Sequence, residues 1–91
     1  MKAGIGSTET EKRLFNIYPN PSDGIVVINF LFEHQSGMLE VFDMSGKLVH
    51  NEKVESGRNE LRIKTPLWKA GSYVLHFRDE MGKVSSIFIV N

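Results

Sequence analysis

From residue 13 to residue 90, apolar and polar side chains of this chain tend to trade places every second residue, the period of a half-buried strand. Leu61 and Ile63 alternate with Glu60, Arg62 and Lys64, and Tyr73, Leu75 and Phe77 alternate with Val74, His76 and Arg78. Leu39 and Val41 do the same around Glu40. This phase assigns Leu61, Ile63, Tyr73, Leu75 and Phe77 to a core. Two runs, Ile25 to Phe32 and Ile87 to Val90, are apolar on both faces. They suit central strands covered on both sides, or edges covered by a loop or a partner. In the second run Ile87 and Ile89 fall on one side and Phe88 and Val90 on the other, so only one pair can enter a single core.

Turn signals separate the runs at the spacing of a β-sandwich. Asp43-Met44-Ser45-Gly46-Lys47 and Asp79-Glu80-Met81-Gly82-Lys83 share the pattern Asp-x-x-Gly-Lys. An aspartate opening a turn accepts from the backbone two residues on, and glycine takes up the left-handed conformation. Gly46 and Gly82 are therefore expected at positive φ, at matching positions of two hairpins. Glu55-Ser56-Gly57-Arg58 and Asn20-Pro21-Ser22-Asp23-Gly24 supply two more connections. The result is seven strands, at about 13–18, 25–33, 37–43, 47–54, 59–65, 72–78 and 83–90. No stretch of ten residues has helical periodicity with caps, although Leu67-Trp68-Lys69-Ala70 could form one helical turn. The fold class is all-β, a seven-stranded antiparallel immunoglobulin-like sandwich. Residues 1–12, rich in Gly, Ser, Thr and charge, read as a leader or linker before a domain at 13–91.

Composition narrows the function. Eleven Lys and Arg balance eleven Asp and Glu, which removes the basic excess that non-specific nucleic-acid binding needs. The chain has no cysteine, so disulfides, thiolate catalysis and cysteine-bound zinc are excluded. Met1 to Gly4 lacks the apolar run of a signal peptide, so an export signal would have to stand elsewhere in a longer precursor.

Candidate chemistry is sparse. His34, His50 and His76 sit on or beside three different strands with no metal-ligand spacing, and surface or rim positions are expected for them. No Gly-x-Ser-x-Gly elbow is present, and Ser45 and Ser56 lie in hairpin turns. Asp23, Asp43 and Asp79 do not form the dense acidic loop that calcium requires. No cofactor, metal or catalytic residue is expected, and the chain does not read as an enzyme. Trp68, between Pro66 and Gly71, is expected to lid one end of the core. Exposure of Trp68 and Tyr18 on one flat face would instead favour an immunoglobulin-like or fibronectin-like module that binds carbohydrate or protein.

The segment Tyr18-Pro19-Asn20-Pro21, between two strands, carries a more specific signal. With it go Leu39-Glu40-Val41-Phe42-Asp43-Met44-Ser45-Gly46-Lys47-Leu48-Val49, the set Leu67, Gly71 and Tyr73, and the run from Lys83 through Ile87-Phe88-Ile89-Val90-Asn91. In order and spacing these resemble the C-terminal sorting domains of the type IX secretion system. The chain departs from that pattern in three places. Lys47 stands at a usual arginine, Ser85-Ser86 replace a common lysine pair, and the Leu67–Gly71 spacing has one extra residue.

The resemblance implies a non-catalytic signal that directs a cargo protein, joined ahead of it, from the periplasm through an outer-membrane secretion translocon. It also implies removal by a sortase-like peptidase, within the Gly4 to Lys12 leader, and attachment of the cargo to the Gram-negative cell surface. The recognition residues so implied are Tyr18, Pro19, Asn20, Pro21, Asp43, Gly46, Lys47, Gly71, Tyr73, Lys83, Ile87, Phe88, Ile89 and Val90. Direct membrane insertion is not expected. Pro19 and Pro21 fix their own φ and remove N–H donors, which pre-sets a stiff corner. Strand addition at a sheet edge is one way a receptor could grip such a domain. The segment Ile87 to Asn91 is expected to be needed for export while contributing only part of the stability.

Overall fold

The computed structural model describes residues 14–21 and 23–91. The leader at 1–12, and with it the implied processing region, lies outside the described residues. Seven strands follow in order: β1 (Phe15–Tyr18), β2 (Ile25–Phe30), β3 (Gly37–Asp43), β4 (Leu48–Val54), β5 (Glu60–Lys64), β6 (Gly71–Asp79) and β7 (Gly82–Val90). They form a three-stranded sheet, β1-β2-β5, and a four-stranded sheet, β4-β3-β6-β7, with every pairing antiparallel. The chain changes sheet at β2–β3, β4–β5 and β5–β6, an immunoglobulin-like arrangement. No helix occurs among the described residues. The Leu67 region is a turn closed by the Trp68 N–H donating to the Thr65 carbonyl at 3.2 Å, so the helical turn considered for it is absent.

The period of two decides what is buried. Val26, Ile28, Phe30, Leu61 and Ile63 from one sheet meet Leu39, Val41, Val54, Tyr73, Leu75, Phe77, Phe88 and Val90 from the other in one cluster. All five core residues expected from the cleanest strands are in it. The rings of Phe30 and Phe77 cross between the sheets edge to face at 5.1 Å.

Both doubly apolar runs find different explanations. β2 is the central strand of its sheet, and Val27, on its outer face, is only 5% exposed because Tyr18 and Arg62 flank it in the same row. β7 is an edge strand: Phe88 and Val90 enter the core, while Ile87 and Ile89 face outward, exposed.

Three expectations need correction. The ladder of β2 stops at Phe30, not residue 33, yet its alternation runs on through Phe32 into His34. The ring of His34 is 8% exposed, not at the surface, and packs at 4.6 Å from Phe30 and 5.1 Å from Phe77. Its Nε2 lies 2.5 Å from the Arg58 carbonyl and its Nδ1 2.8 Å from the Gln35 carbonyl, so backbone oxygens replace water around it. The two Asp-x-x-Gly segments differ. Gly46 and Gly82 both have positive φ, 92° and 136°, but Gly46 lies inside its loop whereas Gly82 is already paired with Asp79 across a two-residue turn.

Candidate functional site

The register places the motif segments in space. Tyr18 ends β1, Asp43 ends β3, Leu48 opens β4, Gly71 opens β6 and Val90 ends β7. Asp43 pairs with Tyr73, and Tyr73 with Phe88. Antiparallel pairing therefore collects the Tyr18–Pro21 corner, the Asp43–Lys47 hairpin, the Leu67–Tyr73 crossover and the Ile87–Val90 run at one end of the sandwich. Lys83 is the exception: it pairs with Arg78 near the opposite end.

Each segment is held by identifiable contacts. In the hairpin, Asp43 Oδ1 accepts from the Ser45 hydroxyl at 2.7 Å and from the backbone N–H groups of Lys47 at 2.9 Å and Ser45 at 3.0 Å. The Ser45 hydroxyl first, and then the Lys47 N–H, hold this carboxyl below the usual aspartate range. Gly46 closes the loop by donating to the Asp43 carbonyl at 3.0 Å.

In the crossover, the Tyr73 hydroxyl donates to the Lys69 carbonyl, four residues upstream, at 2.6 Å. This is the tyrosine corner of immunoglobulin-like sandwiches, which pins the loop onto the start of the strand. Trp68 lies over it, 5.0 Å from the Tyr73 ring and 6.5 Å from Phe88, and so lids this end of the core. Tyr18 projects from the outer face of the other sheet, so these two aromatic rings do not share a flat face.

The corner contains two cis peptide bonds, Tyr18–Pro19 and Asn20–Pro21. Between them Asn20 reaches across to the other sheet, where its Oδ1 accepts from the Ile89 N–H at 3.0 Å. The corner and β7, 69 residues apart in the chain, are thus directly bonded.

The surface of this end is apolar for an exposed region. Leu67 is 95% exposed, and Met44, Leu48, Ile89 and Tyr18 are also exposed. A depression of about 610 Å³ opens here between the hairpin and the crossover, lined by Asp43, Lys47, Leu67, Trp68 and Tyr73 among others. Exposed apolar groups gathered in this way are a feature of contact surfaces.

A second depression, at the opposite end, brings Ser56 and His34 into one lining. Both ring nitrogens of His34 face backbone carbonyls, so neither is aimed to take a proton from that serine. Among the described residues no group of three or more His, Asp or Glu could hold a metal ion.

Sequence reasoning missed two structural residues. Gly37, where β3 passes β6, leaves no space for a Cβ, which would run into the Arg78 carbonyl oxygen and the Phe77 ring. Only a pairing register could have revealed this. His34 had a signal in the period-two series Phe30, Phe32, His34, which continues past the end of the strand.

Comparison with known proteins agrees with the motifs. No curated protein matches the chain. The family model of the secretion system C-terminal sorting domain matches residues 16–91. That span includes the corner, the hairpin, the crossover and β7, and the family is not known for catalysis. The chain belongs to the C-terminal sorting-domain family of the type IX secretion system.

Proposed function

We propose that this domain delivers a folded cargo, joined ahead of it, from the periplasm to an outer-membrane translocon, and that the motif-bearing end of the sandwich is the surface read there. A sortase-like peptidase then removes the domain within the leader at 4–12, and the cargo stays at the cell surface. The observation that carries this reading is the convergence of four sequence-distant motif segments at one end, with Asn20 bonded to Ile89 across the two sheets. Tyr18–Pro21, Asp43, Gly46, Lys47, Gly71, Tyr73 and Ile87–Val90 belong to that end. Within it, Asp43, Gly46 and Tyr73 shape the surface and Leu67, Ile87 and Ile89 present apolar contacts. Lys83 lies toward the other end of β7, outside that cluster.

The test is a fusion of a signal peptide, a folded reporter and residues 1–91, expressed in a bacterium with a type IX system. Mass spectrometry of surface reporter should find a new C-terminus in the 4–12 leader and no sandwich domain. Surface reporter still joined to the domain would contradict the processing step, and reporter held in the periplasm would contradict the delivery step.

A further inference from the structure

The two sheets have four edge strands, β1, β5, β4 and β7, and a free strand edge invites pairing with another chain. Three of them carry known deterrents. β1 has only four residues. β5 has a charge at every second position, Glu60, Arg62 and Lys64. β4 carries Glu52 and Lys53, and its pairing with β3 is bulged. β7 is nine residues long, and from Val84 to Val90 it has no charge, no proline and no bulge.

The Ile89 N–H points away from β6, because it donates to Asn20. Backbone groups alternate in direction along a strand, so Ser85 and Ile87 turn their N–H and C=O to the same open side. Among the described residues nothing bonds them there. Asn20 therefore covers the last outward position and leaves the stretch from Lys83 to Ile87 uncovered.

The outer face adds a second observation. Leu48 pairs with Phe42, Phe42 with Val74, and Val74 with Ile87, which forms one apolar row across all four strands of this sheet. The neighbouring row, Asn51, Glu40, His76 and Ser85, is polar. The apolar row runs out to the open edge at Ile87, which is 60% exposed.

The geometry points to a strand-addition site on the outer edge of β7, spanning Lys83 to Ile87, with Asn20 as its end stop. Resting on the delivery reading above, the occupant is one extended, uncharged strand of the export machinery. It hydrogen-bonds to Ser85 and Ile87 and sets an apolar side chain beside Ile87, extending the row by one strand. Backbone pairing supplies the grip, and the side chain beside Ile87 sets the register.

The test uses Ser85→Pro, Ile87→Lys and Asn51→Lys. Proline at 85 removes an outward donor and leaves the β6 ladder intact, a position where edge strands accept it. Asn51 is exposed on β4, the opposite edge of the same sheet, outside the motif-bearing end and beyond the reach of a strand lying beside β7. In the reporter fusion, Ser85→Pro and Ile87→Lys, shown to fold by circular dichroism and melting, should lose export at least tenfold, and Asn51→Lys should export normally. If Ser85→Pro does not fold, Ile87→Lys decides. Normal export by either folded β7 variant overturns the proposal, as does loss with Asn51→Lys alone, which would mean docking at the opposite edge.

A second arm does not depend on export. The isotope-labelled 91-residue chain is titrated with a peptide of sequence Val-Ser-Ser-Ile-Phe-Ile-Val carrying a lysine tag. The Ser85 and Ile87 amides should shift and exchange more slowly, and Ser85→Pro should abolish the effect. Shifts at other edges, or none, overturn the site. A parent fusion that is not exported sinks the delivery reading instead, and the titration then decides the edge by itself.

Discussion

Replacing Leu75 by alanine tests the assignment of the sandwich faces. Leu75 is 0% exposed and lies in the middle of β6, between Val41 on β3 and Ser86 on β7. Both flanking strands hold the β6 backbone in its ladder, so it cannot move inward to refill the space. Truncating a buried leucine in such a site costs about 2–5 kcal/mol, the lost transfer energy plus the cavity. A domain of this size has about 5–15 kcal/mol to lose. At about 4–8 °C per kcal/mol, the melting temperature should fall by roughly 8–40 °C. Urea unfolding should show a lower midpoint at unchanged slope, the sign of lost stability rather than an altered unfolded state. Ile87→Ala, on the adjacent strand but facing outward, is the internal control and should cost less than about 1 kcal/mol. A Leu75→Ala cost below about 0.5 kcal/mol, or equal costs for the two variants, would refute the face assignment.

Tyr73→Phe keeps the buried ring but removes the hydroxyl bond to the Lys69 carbonyl. It should cost about 1–1.5 kcal/mol and quicken amide exchange in the 65–71 loop; an unchanged melt would deny the corner a stabilising role. Asp43→Asn should lower the melting temperature at pH 7. The folded carboxyl titrates below its unfolded value of about 3.9, so its contribution is present above that value and is lost as pH falls through the folded one. The gap between the two melting curves should therefore close in acid, and a gap that widens there would reverse the sign. Thr65 is buried, and its hydroxyl has no partner among the described residues, so Thr65→Val should raise stability by about 1 kcal/mol. A loss of that size would mean that the hydroxyl is satisfied.

The strands and core were legible because a half-covered sheet imposes a period of two on side chains; Glu60 to Lys64 obeys it without exception, and in Tyr73 to Phe77 only outward Val74 departs from it. The family was legible in Tyr18–Pro21, Asp43–Lys47 and Gly71-x-Tyr73, which occupy the points where the chain must turn or be pinned. Cross-sheet contacts were not legible. The bond from Asn20 to Ile89 and the tight passage at Gly37 depend on where strands distant in sequence come to lie, and no local pattern encodes that. His34 was misplaced because alternation was followed only as far as the strand. The dual character of β7 also changes how it can be probed. Deleting residues 87–91 would remove Phe88 and Val90 from the core, so that deletion tests folding as much as recognition. The outward side chains Ile87 and Ile89 separate the two.

The most direct test of the account is the distribution of one reporter carrying residues 1–91 in two isogenic hosts, one with the type IX translocon and one without it. Fractionation should place the reporter at the surface or in the medium of the first host and in the periplasm of the second. Equal distributions in the two hosts would contradict the claim that this domain is the export signal.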